Sequence, residues 1–376
     1  MSRYLEYFER AFDASVTEKM KLENKPYVAY SETEGMAYTV IPNYVTFTAL
    51  ENNCSIGFYN NPDSSINPTI EYSFDKNTWS TLTDNVSIEK GSKMYCRGIN
   101  PDGISEEGDD GYNYFTGEGK FNISGNIMSI IDYGTMPKTM VGTFSNLFGG
   151  HMDELRDNFV DIVDASNLIL SATTLTPYCY NEMFYYCTSL TTAPELPATT
   201  LADYCYLYMF EGCTSLTTAS ELPVTILAES CCCGMFSGCT SLTTAPELSV
   251  TTLAERCYYG MFQGCTSLTT VPVLPATELA ESCYEDMFAN CTSLTTTPEL
   301  PATTLVDKCY YRMFRNCDSL NHIKCLATDI SALDCTGVWV DGVSSIGTFV
   351  KHPSMNDWTT GTGGIPESWT IENADI

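Results

Sequence analysis

The chain is poor in basic side chains. Its 376 residues include 18 lysines and arginines against 47 aspartates and glutamates, which gives a formal net charge of −29. Nucleic acids and anionic membrane surfaces are bound mainly through basic patches, so the sequence disfavours both as partners. Runs of 18 apolar residues are also missing. Because a membrane-spanning helix needs about 20 such residues, we expect no membrane insertion.

Signals for export and for catalysis are missing as well. The first 15 residues, MSRYLEYFERAFDAS, lack the apolar segment of a signal peptide, which predicts no export by the general route. No GxSxG, Walker or HExxH motif occurs, and none of the three histidines has neighbours at metal-ligand spacing. The sequence therefore predicts a protein that is not an enzyme and that uses no cofactor or metal ion.

A 26-residue repeat fills most of the second half of the chain. Its second copy reads LADYCYLYMFEGCTSLTTASELPVTI, and the six copies begin at Leu175, Leu201, Leu227, Leu253, Leu279 and Leu305. A fixed period of this size is typical of a stacked array, in which each unit buries its apolar side against its neighbours. The phase continues into a degenerate seventh copy, which puts Trp339 in the position of Met313.

Within one copy, apolar residues recur every four positions. Thr200 with Asp203 three residues later is similar to a capping box at a helix start. The spacing favours one stripe of an α-helix, and the threonine-rich segment 215–219 favours a short strand. We therefore expect a leucine-rich-repeat-like α/β solenoid of 26-residue helix–strand units, curved with its strands inside. Its predicted core contains Leu201, Cys205, Met209, Phe210, Cys213, Leu216, Cys231, Met235, Phe236, Cys239, Leu242 and Trp339.

Cysteine is abundant, with 18 residues, of which twelve form two columns in the repeats. Within one copy the two cysteines are eight positions apart, too far along a helix for a disulfide. Their places among Leu, Met and Phe indicate buried thiols. Disulfides between successive copies at the second column, which includes Cys213, remain the alternative. Cys232 and Cys233 are expected to be exposed, which favours a reducing compartment.

The sequence divides into four predicted domains. Residues 1–43 form a docking or anchor segment with a short helix, and 44–128 form a small immunoglobulin-like β-sandwich, as its short alternating strands indicate. Residues 129–343 form the array and 344–376 a C-terminal cap. The acidic loop 102–111 is expected to be solvated, with Ca²⁺ binding as the alternative. The apolar face of the docking helix carries Tyr4, Leu5, Phe8 and Phe12; packing on the sandwich is the alternative to binding a partner there.

The run MFxGCTSLTTAPELP resembles the BspA-like class of bacterial leucine-rich repeats, in units a few residues longer. GTFVK (347–351) and GIPESWTI (364–371) are similar to the cap of such arrays in gut Bacteroides proteins and their phages. GKFNISGNIMSI (119–130) resembles the junction before such arrays, and KPYVAY (25–30) resembles tags of virion-attached proteins of gut phages. The resemblance implies a scaffold for binding or adhesion, without implying a particular ligand.

The copies differ mainly just after the first cysteine and just before the second. Tyrosine, serine, glycine and asparagine are common there, and these residues suit adaptable recognition surfaces. The residues predicted to bind are Tyr206, Tyr208, Tyr258, Tyr259, Tyr284, Tyr310, Tyr311 and Arg312. Two alternatives are drift on a solvated face and binding by the uniform threonine-rich face, which suits a repetitive polymer such as a glycan.

These observations predict a recognition and display protein. The favoured setting is the virion surface of a phage, where the protein, a fibre or decoration, contacts a protein or glycan on the bacterial host. Residues 1–43 then hold a virion protein. The alternatives are a bacterial cell-surface adhesin and a structural virion decoration without a ligand. A homo-oligomer is compatible with each of these settings.

Overall fold

The structure is a computed structural model. It describes residues 43–106, 112–133, 142–149 and 159–376, and the backbone of 27–31 and 36–40. The one helix within the described residues is α1 (Ser129–Asp132). The strands are β1 (Tyr27–Ser31), β2 (Met36–Val40), β3 (Val45–Ala49), β4 (Cys54–Tyr59), β5 (Ile70–Ser73), β6 (Ser80–Thr81), β7 (Val86–Ile88), β8 (Lys93–Gly98), β9 (Tyr114–Glu118), β10 (Lys120–Asn126), β11 (Asp161–Ile169), β12 (Thr296–Leu300), β13 (His322–Cys325), β14 (Thr348–Lys351) and β15 (Thr370–Asn373).

Near the N-terminus, β1 and β2 pair antiparallel, with Tyr27 opposite Val40. The predicted docking helix with Tyr4, Leu5, Phe8 and Phe12 lies outside the described residues. No helix in the described part of the chain combines the length and the apolar character needed to cross a bilayer.

The first half of the chain forms two facing sheets. One has the strand order β11-β10-β3-β8-β5-β6 and the other β7-β4-β9. The strand segments predicted between 44 and 123 are all present, and the structure adds β6 and β9. Alternate side chains point into a shared core, where the rings of Phe47 and Phe115 lie 4.9 Å apart. This alternation is the pattern of strands that bury one face.

The repeats do not contain the predicted helices, so an α/β solenoid of helix–strand units is wrong. The segment assigned to a helix is instead a spiral of tight turns in which every fourth residue has a positive φ. In the second copy these residues are Tyr204 (φ 58°), Tyr208 (φ 53°) and Gly212 (φ 72°). An α-helix requires a negative φ at every residue. The array is therefore a parallel stack of turns and short bridges.

Hydrogen bonding alternates along this spiral. The amide of Tyr206 donates to the carbonyl of Cys231 in the next copy, at 2.9 Å. The amide of Met209 instead donates back three residues, to Tyr206 O at 3.2 Å. Each of the six full copies donates five such amides to the following copy. Backbone groups that a helix would pair locally are thus paired between copies, which satisfies them equally well.

The four-residue spacing itself explains why the prediction of a helix was wrong. In an α-helix, residues four apart drift by about 40° per step around the axis. In a spiral with one turn per four residues, Leu201, Cys205, Met209 and Cys213 keep one direction. Glycine, asparagine and aspartate tolerate positive φ best, and they occupy many of these positions.

The core is a set of columns that run through all copies. Successive phenylalanine rings stack with centroids 5.4 to 5.9 Å apart from Phe148 to Phe314. Every residue predicted for the core is buried. Trp339 ends the column, since its ring lies 6.2 Å from Phe314 and stacks on Trp358 at 5.6 Å. Its Nε1 donates to Gly364 O at 2.8 Å, so the last residues cover the open end.

The array grows directly from the β-sandwich. Strand β10 pairs antiparallel with β3 on one side and parallel with β11 on the other. The next step is a parallel bridge between Asp164 in β11 and Thr192 in the first copy. One apolar core continues from Val45 to Trp369. The sandwich therefore supplies the template on which the first copy stacks.

All 18 cysteines are buried free thiols. In the second column each thiol donates to a carbonyl of the preceding copy, as Cys239 Sγ does to Phe210 O at 3.1 Å. The expectation that Cys232 and Cys233 are exposed is wrong, because both are buried. Cys232 takes the core position that Tyr206 and Tyr258 occupy in the neighbouring copies, so its side chain faces inward.

Candidate functional site

The residues predicted to bind fall into two groups. Four tyrosines occupy the sixth position of their copies and are only 1% to 2% exposed, so the structure places them in the core and corrects their assignment to a surface. They are Tyr206, Tyr258, Tyr284 and Tyr310. Tyr258 and Tyr284 stack at 6.0 Å, which continues the packing column. The remaining four, Tyr208, Tyr259, Tyr311 and Arg312, are half-buried and reach the surface.

A trough of about 290 Å³ brings two of these four together. Its lining comes from the seventh, eighth and eleventh positions of four successive copies. The residues are Glu182, Tyr185, Tyr208, Glu211, Gly234, Ser237, Tyr259, Gly260 and Gln263. Large side chains stand on the rim and the smallest lie at the centre. We call this feature the outer trough.

Gly234 and Gly260, which occupy the same position in two successive copies, form the floor of the outer trough. Tyr208 and Gly234 occupy the same position in neighbouring copies, and the Tyr208 ring lies against Gly234 so closely that a Cβ there would stand 2.3 Å from it. Gly260 follows in the next copy, and its nearest neighbour is Gln263, 3.4 Å from an ideal Cβ. The residue at this position in the preceding copy is Gly234, which has no side chain, so no ring covers Gly260. The gap between copies remains open there.

Two carboxylates line one end of the outer trough. Asn146 Nδ2 donates to Glu182 Oε2 at 3.0 Å, which fixes that side chain. Burial raises the pKa of Glu211 to about 7, and the neighbouring charge of Glu182 adds to the increase. Within the described residues, no basic side chain forms an ion pair with Glu211. This end of the trough therefore brings together two carboxylates, of which Glu211 is held in surroundings that disfavour its charge.

The phenol groups of the rim are held in place. Tyr208 is hydrogen-bonded to the Cys233 thiol, and burial raises the pKa of Tyr208. Burial and the charge of Asp286 raise the pKa of Tyr259 to about 12. Both phenols are therefore neutral donors at physiological pH, and their rings have fixed neighbours.

Arg312 and Tyr311 lie beside the trough in a separate cluster. Arg312 Nη1 is 3.8 Å from Asp286 Oδ2, and its guanidinium lies 4.7 Å from the centroid of the Tyr311 ring. Burial raises the pKa of Asp286, and Arg312 lowers it in part. The arginine is thus occupied by its own carboxylate, and the trough receives little positive charge from it.

A second groove of about 360 Å³ lies on the uniform face, between the segments 192–197 and 218–223. Its lining residues are nearly identical in the other copies. Some threonine hydroxyls of this face donate to the preceding copy, as Thr269 Oγ1 does to Thr243 O at 3.3 Å. The groove therefore offers little that distinguishes one copy from another, whereas the outer trough occurs where the copies differ.

The sequence interpretation overlooked Tyr185, Glu182, Glu211 and Gln263 as site residues. Each lies at a position that varies among copies, so the signal was present. Their role appears only when the same position is compared in consecutive copies. Two small residues in succession, Gly234 and Gly260, then predict a gap with larger neighbours at its ends.

Comparison with known proteins finds no matching family model, no matching curated protein and no matching solved structure. The resemblance to BspA-like repeats stays a prediction based on the repeat motif. Within the described residues, no three His, Cys, Asp or Glu side chains converge where a metal ion could be held.

Proposed function

We propose that this protein is a non-catalytic recognition protein that binds a surface protein or glycan through the outer trough. The observation that carries the proposal is the placement of the trough. It occurs at positions that differ among copies, while the core positions around it are repeated almost unchanged. A rigid stack that varies only at surface positions is suited to presenting a specific site.

The chemistry of the lining supports binding of a polar ligand. Tyrosine rings provide large contact areas at low entropic cost, and Gln263 and Glu182 provide hydrogen-bonding groups. A volume of about 290 Å³ fits one saccharide unit or one side chain of a protein partner. The site is therefore suited to a local feature of a larger surface.

For the setting, we propose the surface of a phage virion, with the array directed at the bacterial host and residues 1–43 holding a virion protein. A bacterial adhesin and a structural decoration protein remain the alternatives. The binding proposal does not depend on this choice, since the trough is the same in each setting.

The test is binding of the labelled full-length protein to candidate host cells and to an array of surface glycans. Ser237→Trp should abolish binding, because it fills the centre of the trough and removes none of the rim groups. Thr244→Ala is the matched control, since it changes an exposed residue of the uniform face in the same copy. Its binding should equal that of the unchanged protein.

The opposite result, loss with Thr244→Ala and no loss with Ser237→Trp, would assign binding to the threonine-rich face. Unchanged binding by both variants would remove both faces from consideration. Circular dichroism and melting temperature of each variant confirm that the array is intact before binding is compared.

A further inference from the structure

We propose that the outer trough binds an organic ammonium group, such as a protonated amine or a quaternary ammonium, carried by the ligand. This inference rests on the proposed function and names the chemical class that the site recognises. The observation behind it is one cavity that combines three tyrosines with two carboxylates, and none of its lining residues in the described part of the chain is basic.

The geometry provides both kinds of attraction that a cation needs. Tyr185, Tyr208 and Tyr259 line the trough, and aromatic rings attract alkylammonium groups through the negative charge density of their faces. Glu182 and Glu211 stand at the same end of the cavity. An ammonium group there meets rings and carboxylates together, as in other aromatic sites that select organic cations.

The electrostatics of Glu211 point to the same class of ligand. Its carboxylate is partly buried and close to Glu182, and both effects disfavour its charge. Burial raises the pKa of Tyr185, Tyr186 and Tyr208, and the negative charge of Glu211 adds to the increase in each. A bound cation reverses this penalty, so its binding gains from the charge that the empty site tolerates poorly.

Anionic ligands are disfavoured by the same two carboxylates and by the overall charge of −29. Neutral groups can contact the rings but gain nothing from the carboxylates. The size of the cavity, about 290 Å³, suits a single ammonium-bearing headgroup or side chain, including an amino sugar with a free amine.

The experiment measures binding of three small probes to the full-length protein by calorimetry and by the NMR signals of the tyrosine rings. Choline is the quaternary probe and ethylamine the primary one. The neutral control is 3,3-dimethyl-1-butanol, which has the shape of choline without its charge. We expect both cations to bind and the neutral isostere to bind at least tenfold more weakly.

Choline does not titrate, so its pH dependence reports on the protein. Its affinity should fall about tenfold from pH 8 to pH 6 as Glu211 becomes protonated. Glu211→Gln should weaken choline binding about tenfold at pH 8 and remove this pH dependence, because Glu182 is then the remaining carboxylate. Glu255→Gln, at an exposed acid outside the trough, is the matched control and should leave both unchanged.

Equal binding of choline and its neutral isostere would overturn the proposal, and so would a choline affinity that Glu211→Gln leaves unchanged. Binding of choline alone supports a quaternary group, whereas binding of ethylamine alone supports a primary amine. If Ser237→Trp abolishes binding to cells while neither cation binds, the proposed function stands and the ammonium inference fails. If the unchanged protein binds a cation but no cells, and Ser237→Trp abolishes cation binding, the ammonium site stands and the proposed function is rejected.

Discussion

The Cδ1–Cε1 edge of the Tyr208 ring lies against the backbone of Gly234. A Cβ added at Gly234 would stand 2.3 Å from both Cδ1 and Cε1 of that ring, and the φ of Gly234 is +57°. Two separate constraints therefore select glycine at this position. One is the left-handed backbone of the turn spiral, and the other is the tyrosine of the preceding copy.

Gly260 allows these two constraints to be separated, because it has the same φ of +57° but no ring beside it. Gly260→Ala should lower the free energy of unfolding by about 1–2 kcal/mol through backbone strain. Gly234→Ala should cost about 1–3 kcal/mol more, since the Tyr208 ring must move. Urea unfolding of the two variants measures the difference.

The control is a double-mutant cycle with Tyr208→Ala. Removing the ring should cancel most of the additional cost of Gly234→Ala, giving a coupling of about 0.5–3 kcal/mol. Equal costs for the two glycine variants would contradict the contact between ring and glycine.

The phenylalanine column should contribute strongly to stability. Phe236 is fully buried, and its ring stacks on Phe210 at 5.6 Å and on Phe262 at 5.8 Å. Phe236→Ala should lower the free energy of unfolding by about 3–5 kcal/mol, the usual loss for a buried aromatic ring. Val273→Ala, at a side chain that is 64% exposed, should change it by less than about 0.5 kcal/mol. Similar melting temperatures for Phe236→Ala and the unchanged protein would refute this packing.

The cysteine thiols should be unreactive in the folded protein. Burial raises the pKa of Cys309 and Cys317 to about 12, and the pKa of Cys239 further. Because the thiolate is the reactive form, few or none of the cysteines should react with a thiol reagent at pH 8 before unfolding. After unfolding in denaturant without reductant, all 18 should react. A shortfall of two or more would reveal disulfides between copies.

Glu211 should make stability depend on pH. Its pKa is raised to about 7, so the folded protein keeps this proton in a range where the unfolded chain has released it. The carboxyl costs nothing below about pH 4, and its ionisation destabilises the fold increasingly up to about pH 7. Glu211→Gln should therefore stabilise the protein by about 1–2 kcal/mol at pH 8, given solvent screening, and by little at pH 5. The same gain at both pH values would contradict the raised pKa.

The sequence predicts much of the architecture, since the period of 26 residues, the buried positions and most sandwich strands follow from local patterns. The backbone conformation of the repeat was predicted wrongly, because apolar residues spaced by four fit both the stripe of an α-helix and a spiral with four residues per turn. The decisive interactions are backbone bonds such as Tyr206 to Cys231, which join residues 25 apart. A clue existed in Gly212, Gly238 and Gly264, which share a position that requires a positive φ.

The candidate site was predicted only in part. Tyr206 and Tyr258 lie just after the first cysteine, where the copies differ, yet tyrosine recurs at their own position in five of the six full copies. A large aromatic residue repeated in one position indicates a packing column, and a surface site varies more. The outer trough depends on the order of Tyr208, Gly234 and Gly260 along the stack. The residues of a single copy do not show this order.

The amides of the turn spirals that bond successive copies donate toward the C-terminal end of the stack, whereas amides of the threonine-rich segments, such as Thr269 to Thr243 O, donate toward its N-terminal end. The array therefore has a head and a tail, and in the spirals the tail offers donors and the head offers acceptors. Two molecules could therefore join end to end only in head-to-tail order, and such a contact repeats without closing and forms a filament. The β-sandwich covers one end, and Trp358 covers Trp339 at the other. These covers keep a repeat array of this kind from continuing into the next molecule.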